Sequence, residues 1–152
     1  MLAFVLKYKP GSSANERLQE NTSLCIQTLV SKSEDMKKEL GDTVQYTAQY
    51  PPYFSKGIAA LVIYLSSQNN HILDSISSTL IQVSEIESCQ KNMIDFGAIS
   101  ALLLLLTPPT VSRINTPVLH NTLKLLVTLS KSQNACNLIA SHGNSFFPMC
   151  YQ

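Results

Sequence analysis

The sequence has few charged residues and no long apolar segment, and both shortages exclude classes of protein. Charged residues make up 14% of the 152 residues, and eleven Lys and Arg against ten Asp and Glu leave a net charge of +1. Such a balance favours neither nucleic acid nor a membrane surface. The longest purely apolar run, residues 101–106, is far shorter than the ~18 residues that span a bilayer. We therefore expect no nucleic-acid partner and no membrane insertion.

Sequence signals for secretion, metal binding and catalysis are also missing. Residues 1–6 are short for a signal peptide and follow no basic residue, so we expect a cytoplasmic or nuclear protein. The four cysteines lack close pairing, which is typical of reduced thiols. Cys136 and His142 are near neighbours, but a zinc site needs more ligands. No G-x-S-x-G, P-loop or G-x-G-x-x-G motif occurs. We predict no enzyme activity, no catalytic residue, no metal and no cofactor.

Residues 57–97 contain a pattern that organises the chain. A short apolar run at 58–65 is followed by a polar break at 66–70. Apolar residues then recur at the spacing of one face of an amphipathic helix. These residues are Leu73, Ile76, Leu80 and Val83. A third segment around Met93 closes on Gly97, where glycine permits the positive φ that often ends a helix.

The same parts recur in the same order in residues 97–143. Leu119, Leu126 and Leu129 take the places of Leu73, Leu80 and Val83, and Gly143 stands where Gly97 stood. The second copy is longer mainly in its polar break, where residues 107–110 are added. Since structural repeats tolerate insertions in loops, this indicates two copies of one helical unit of ~40 residues.

Two stretches carry a resemblance to the armadillo-repeat family. Residues 97–106, GAISALLLLL, resemble the second helix of that repeat, and residues 90–96, QKNMIDF, are similar to its first helix. The resemblance covers 57–143 well and the first 42 residues more weakly. It implies an all-α protein, a right-handed α-solenoid of armadillo-like three-helix repeats. The related HEAT repeat is the alternative.

This interpretation divides the chain into five parts. Residues 1–42 form a partial first repeat, with the end of a helix at 2–8, a helix from 15 to 32 and a short segment at 36–40. Residues 43–56 form a Tyr- and Pro-rich inserted loop. Two armadillo-like repeats follow at 57–97 and 98–143, and residues 144–152 are a divergent tail. We expect flanking repeats of a longer parent chain to continue the array.

The resemblance also implies where a partner binds, because third helices line the concave side of an armadillo array. The residues predicted to face that side, called here the inner stripe, are Asp74, Ser78, Gln82, His120, Lys124 and Thr128. Gln82 and Thr128 occupy positions where the family carries asparagines that clamp a peptide. The chain has no tryptophan, which the family places one turn earlier. The fold is therefore implied without the peptide clamp, and the stripe is either a solvated face or a docking groove.

A second candidate contact is aromatic. Tyr50, Tyr53 and Phe54 cluster near Pro51 and Pro52, either as an ordered loop over the solenoid or as a partner site. We predict a non-enzymatic scaffold or adaptor that docks another protein on the concave face. The alternatives are cargo-peptide binding in nucleocytoplasmic transport and an accessory helical domain of a larger enzyme.

Overall fold

A computed structural model describes residues 16–41 and 57–146, and this part of the chain is all-α, as predicted. It contains no β-strand in those ranges, and none of their helices has the length and hydrophobicity needed to cross a membrane. The predictions for residues 2–8, 43–56 and 147–152 concern parts of the chain outside the described residues. The helices are α1 (Glu16–Lys32), α2 (Glu34–Gly41), α3 (Gly57–Tyr64), α4 (Asn70–Val83), α5 (Glu87–Asp95), α6 (Ala98–Leu105), α7 (Thr116–Leu129) and α8 (Gln133–Phe146), with a 3₁₀ turn at Thr110–Ser112.

Polar side chains start three of these helices. Asn69 precedes α4, and its Oδ1 accepts the backbone N–H groups of His71 and Ile72 at 2.8 and 3.4 Å. Asn115 precedes α7, and its Oδ1 accepts from Val118 at 3.1 Å. The hydroxyl of Ser33, next to α2, accepts the N–H of Met36 at 3.3 Å. Each bond satisfies a donor that the first helical turn leaves unpaired.

Glycine starts the two short apolar helices α3 and α6 for different reasons. Gly97 has φ of 82°, the positive value that its place in the sequence predicts, and nothing crowds the site of a Cβ. At Gly57 the constraint is space, because a Cβ would lie 2.6 Å from Leu40 Cδ1 and 3.0 Å from the Leu40 carbonyl oxygen. Gly143, the predicted counterpart of Gly97, lies instead inside α8, which continues to Phe146.

The long helices α1, α4 and α7 lie side by side, since α1 packs on α4 and α4 packs on α7. The shorter helices pack behind them: α3 contacts α4 and α5, and α6 contacts α7 and α8. One continuous apolar core joins the two groups. Its most completely buried side chains include those of Leu61, Leu80, Met93, Leu102 and Leu129.

The two blocks share a connection between their long helix and the next helix. Ser84 and Ser130 end α4 and α7, and the N–H of each donates to the carbonyl four residues earlier at 2.9 Å. In the first block Gln90 Nε2 donates to the Ser84 carbonyl at 2.7 Å. In the second, Cys136 Sγ donates to the Ser130 carbonyl at 2.8 Å. Each pair of counterparts is 46 residues apart (84 to 130 and 90 to 136).

The outer side of α7 departs from the predicted pattern. Leu73 and Leu80 of α4 are 2% and 1% exposed, but their counterparts Leu119 and Leu126 are only half-buried. The difference follows the packing, because α4 lies between α1 and α7, whereas among residues 16–41 and 57–146 only α4 is a long-helix neighbour of α7. The fully buried leucines of α7 are Leu125 and Leu129.

An ion pair joins α2 to the segment after α4. The Lys37 ammonium lies 2.8 Å from Glu34 Oε1 and 2.9 Å from Glu85 Oε2, and the lysine side chain is 10% exposed. The hydrogen bonds that Lys37 donates to Glu34 and then to Glu85 raise the pKa of Lys37 above its usual value. Both carboxylates are exposed, so the link restrains geometry more than it stabilises the fold.

We predict that Asn69→Ala lowers the free energy of unfolding by about 1–2 kcal/mol, the usual effect of losing a helix cap. Asn69 also donates through Nδ2 to Glu16 at 2.8 Å and Glu20 at 2.6 Å, which ties α4 to α1. Asn115→Ala removes a cap without such a link, so urea denaturation should show a smaller loss. Asn69→Asp keeps the cap but places a carboxylate against Glu16 and Glu20, so it should also be less stable than the wild type. An Asn69→Asp variant as stable as the wild type would contradict the link between α4 and α1.

Candidate functional site

All six residues of the inner stripe lie on α4 and α7, three on each helix. Within each helix they are four residues apart, which places them on one side. Because α4 packs directly on α7, the two halves are neighbours. His120 and Lys124 are exposed, and the other four are half-buried. The structure therefore assembles the predicted set into one polar surface.

Asn121 joins the two halves of the stripe, and the sequence interpretation missed it. Its Nδ2 lies 3.0 Å from Asp74 Oδ1, 3.1 Å from Ser77 Oγ and 3.4 Å from Ser78 Oγ. The Asp74 carboxylate is therefore bound to α7 through Asn121. Asp74 and Ser78 thus hold the helices together, which reduces what they offer to a partner. The only sequence feature that could have indicated this contact was the asparagine itself, on the side of α7 that faces α4.

Gln82 has the clearest unused hydrogen-bonding capacity. Its Oε1 is buried and has no hydrogen-bond partner among the described residues. A buried acceptor without a partner costs about 1–3 kcal/mol. Thr128 lies at the equivalent position on α7, where its hydroxyl donates to the Lys124 carbonyl at 3.0 Å. The residue as a whole is half-buried, so a donor on another molecule would recover the lost bond once the Gln82 side chain rotates outward.

The charge on this surface is unevenly distributed. The sequence has no Asp or Glu after Asp95, so α7 and α8 carry only neutral and basic side chains. His120 and Lys124 lie on the exposed side of α7, and Lys131 follows its end. On the stripe, Asp74 is the one acidic residue. The α7 side is therefore suited to acidic groups.

The remaining candidates are placed as follows. Cys136 Sγ donates a hydrogen bond to the Ser130 carbonyl, and His142 Nε2 lies 3.0 Å from Ser100 Oγ. In the ranges 16–41 and 57–146 no three potential metal-ligating side chains cluster. The predicted aromatic contact, Tyr50, Tyr53 and Phe54, lies outside the described residues.

The inner stripe offers groups that suit non-covalent recognition: an unpaired amide oxygen at Gln82, the Lys124 ammonium and the His120 imidazole. The rigid pairing of α4 with α7 fixes their spacing. Neither a protein-family model, nor a curated protein, nor a solved structure matches the chain.

Proposed function

We propose that this protein is a non-enzymatic scaffold that docks another protein on the inner stripe. The fold we propose for it is a right-handed, armadillo-like α-solenoid, with a HEAT-like arrangement as the alternative. Two features support the fold: the shared connections 46 residues apart after α4 and α7, and the side-by-side packing of α1, α4 and α7. In such an array the long helices form a continuous surface open to a partner.

The unpartnered oxygen of Gln82 is the observation that carries the docking proposal. An extended segment of a partner presents backbone N–H groups, and one of these satisfies Oε1 when the half-buried Gln82 side chain turns toward the partner on binding. Lys124 then attracts a carboxylate of the same segment, since no acidic side chain of α7 or α8 competes for it. The stripe supplies direction through one hydrogen bond and affinity through charge.

Binding of a cargo peptide for nucleocytoplasmic transport is a narrower version of this function. Its support is the inner stripe itself, in which Gln82 and Thr128 hold equivalent positions on α4 and α7. Basic cargo is disfavoured by Lys124 and His120 and by the absence of tryptophan from the chain. We therefore favour general protein docking, whether the chain acts alone or as an accessory helical domain of an enzyme.

The test is proximity labelling in cells with the tagged chain and a Gln82→Ala, Lys124→Ala, Thr128→Ala variant. Loss of one hydrogen bond and one charge contact weakens binding by roughly tenfold, so partners seen with the wild type should be depleted. The matched control replaces three exposed residues of α5, by Ser88→Ala, Lys91→Ala and Asp95→Ala. Equal recovery of every partner from both triple variants would remove the inner stripe as the docking site.

The same assay separates the stripe from the aromatic segment. A Tyr50→Ala, Tyr53→Ala, Phe54→Ala variant removes the candidate second contact and changes no residue of α4 or α7. Partners lost only with this variant would assign docking to the aromatic residues, and partners lost with both would use the two contacts together.

A further inference from the structure

The side of α7 that faces away from α4 exposes apolar side chains. We call it the open face, and it consists of Leu119, Leu123, Leu126 and Val127. Leu123 and Val127 are 48% and 67% exposed. The open face is separate from the inner stripe, because the stripe lies between it and α4 along the surface of α7. Clustered exposed side chains of this kind mark an interaction surface more often than isolated ones do.

The chain itself shows how such a face is covered. The counterparts on α4, each 46 residues earlier, are Leu73, Ser77, Leu80 and Ile81. The first three are at most 2% exposed, and α7, an amphipathic helix, packs on α4 and donates a hydrogen bond to Ser77. At its edge, Asn121 of α7 donates to acceptors on α4, Asp74 and Ser78. A helix with a polar residue at its edge is therefore the occupant that fits this kind of face.

On the open face the polar edge is reversed. The positions of Asp74 and Ser78 are taken by His120 and Lys124, both exposed. The Lys124 ammonium can only donate a hydrogen bond, so an acceptor position on the edge of α4 becomes a donor position on α7. A helix that binds the open face must therefore carry hydrogen-bond acceptors at the position that Asn121 occupies in α7. A carboxylate forms the strongest hydrogen bond to an ammonium group. Lys131, just beyond the end of the helix, is also exposed.

We propose that the open face binds an amphipathic α-helix of a partner protein that carries Glu or Asp beside its apolar stripe. Helices dock in this way by laying apolar residues at i, i+3, i+4 and i+7 on a complementary surface. The open face and the inner stripe share His120 and Lys124 at their border, but the apolar residues of the open face and Gln82 of the stripe belong to one surface each.

A second copy of this chain fits the open face less well. The long helix α1 is the element available to stack on α7 of another copy, and two of its carboxylates, Glu16 and Glu20, already accept hydrogen bonds from Asn69. The sequence after Asp95 offers no carboxylate at all. The charge pattern therefore favours a different, acidic partner.

The probe is a synthetic peptide with the sequence of residues 114–131, the helix that covers α4, with Asn121→Glu. The matched control is the same peptide with Asn121→Lys. We expect fluorescence anisotropy with the whole chain to show at least tenfold tighter binding of the Glu peptide at low salt, weakening as salt screens the charges. Equal affinities, or no binding of the Glu peptide, would overturn the proposal.

Protein variants locate the binding. Leu123→Ser with Val127→Ser should abolish binding of the Glu peptide, whereas Ile63→Ser, at an exposed apolar residue of α3, should not. Lys124→Glu should reverse the preference toward the Lys peptide. Gln82→Ala should leave peptide binding unchanged, which separates the open face from the inner stripe. An unreversed preference in Lys124→Glu would contradict the assigned edge.

Sedimentation velocity tests the competing occupant. The wild-type chain should remain monomeric at concentrations where the Glu peptide binds. Self-association that disappears in the Leu123→Ser, Val127→Ser variant would identify a second copy as the occupant and overturn the proposal of an acidic helix.

Discussion

Leu102→Ala is expected to lower the free energy of unfolding by about 2–5 kcal/mol. The Leu102 side chain is completely buried at the centre of the core, in the helix α6 that packs against α7 and α8. Alanine removes the transfer free energy of the missing carbons and leaves a cavity, because rigid neighbours close it only in part. Domains of this size are stabilised by about 5–15 kcal/mol, so the loss is a large share of the total. The loss of unfolding free energy is measured by urea denaturation monitored by circular dichroism.

Leu104→Ala is the matched control, since it makes the same chemical change two residues away in the same helix. Leu104 is 59% exposed, so the change should stay within about 0.5 kcal/mol. Helix propensity affects both variants equally, and the difference between them isolates burial. Equal effects on the midpoint of unfolding would mean that α6 presents a different side to the core.

Much of this fold follows from periodicity and punctuation in the sequence. Apolar spacing located α4 through Leu73, Ile76, Leu80 and Val83, all of which are buried. The glycine at 97 marked a positive φ, and the structure has it there. These signals succeed because they are local: helical spacing and backbone conformation depend on a few neighbouring residues.

Other features could not be predicted because they depend on contacts between distant parts of the chain. The half-buried state of Leu119 and Leu126 depends on which elements surround α7, although their counterparts on α4 have the same pattern. The bonds from Asn121 to α4 depend on the rotation of two helices about their axes. Periodicity alone gives that rotation only to within about a third of a turn for a helix that is apolar on several sides.

The inner stripe shows the same limit. Spacing by four residues placed its members on one side of α4 and of α7, which the structure retains. Sequence spacing did not reveal that Asp74 and Ser78 are held by Asn121, or that Gln82 Oε1 lacks a partner. Which polar groups remain free for a ligand is a property of packing, and it concentrates the docking proposal on Gln82 and Lys124.

Leu125→Asp is expected to unfold the chain at neutral pH, with a loss above about 4 kcal/mol. Leu125 is 1% exposed and belongs to the apolar core, so a carboxylate there loses its hydration. Leu126→Asp changes the adjacent residue, which is half-buried at the open face, so its carboxylate can reach water. Far-ultraviolet circular dichroism should show a folded Leu126→Asp protein and an unfolded Leu125→Asp protein.

The charge itself is tested by pH and by Leu125→Asn, which has a similar shape without a carboxylate. Burial raises the pKa of an aspartate in the folded state above its unfolded value of about 3.9. The penalty relative to wild type is therefore smallest below that unfolded value and grows as pH rises through the folded pKa. Leu125→Asn should show no such dependence between pH 4 and 7. If Leu125→Asp and Leu125→Asn lost the same stability at every pH, the altered packing and not the charge would be the cause. The core side of α7 would then tolerate a charge that its burial indicates it cannot.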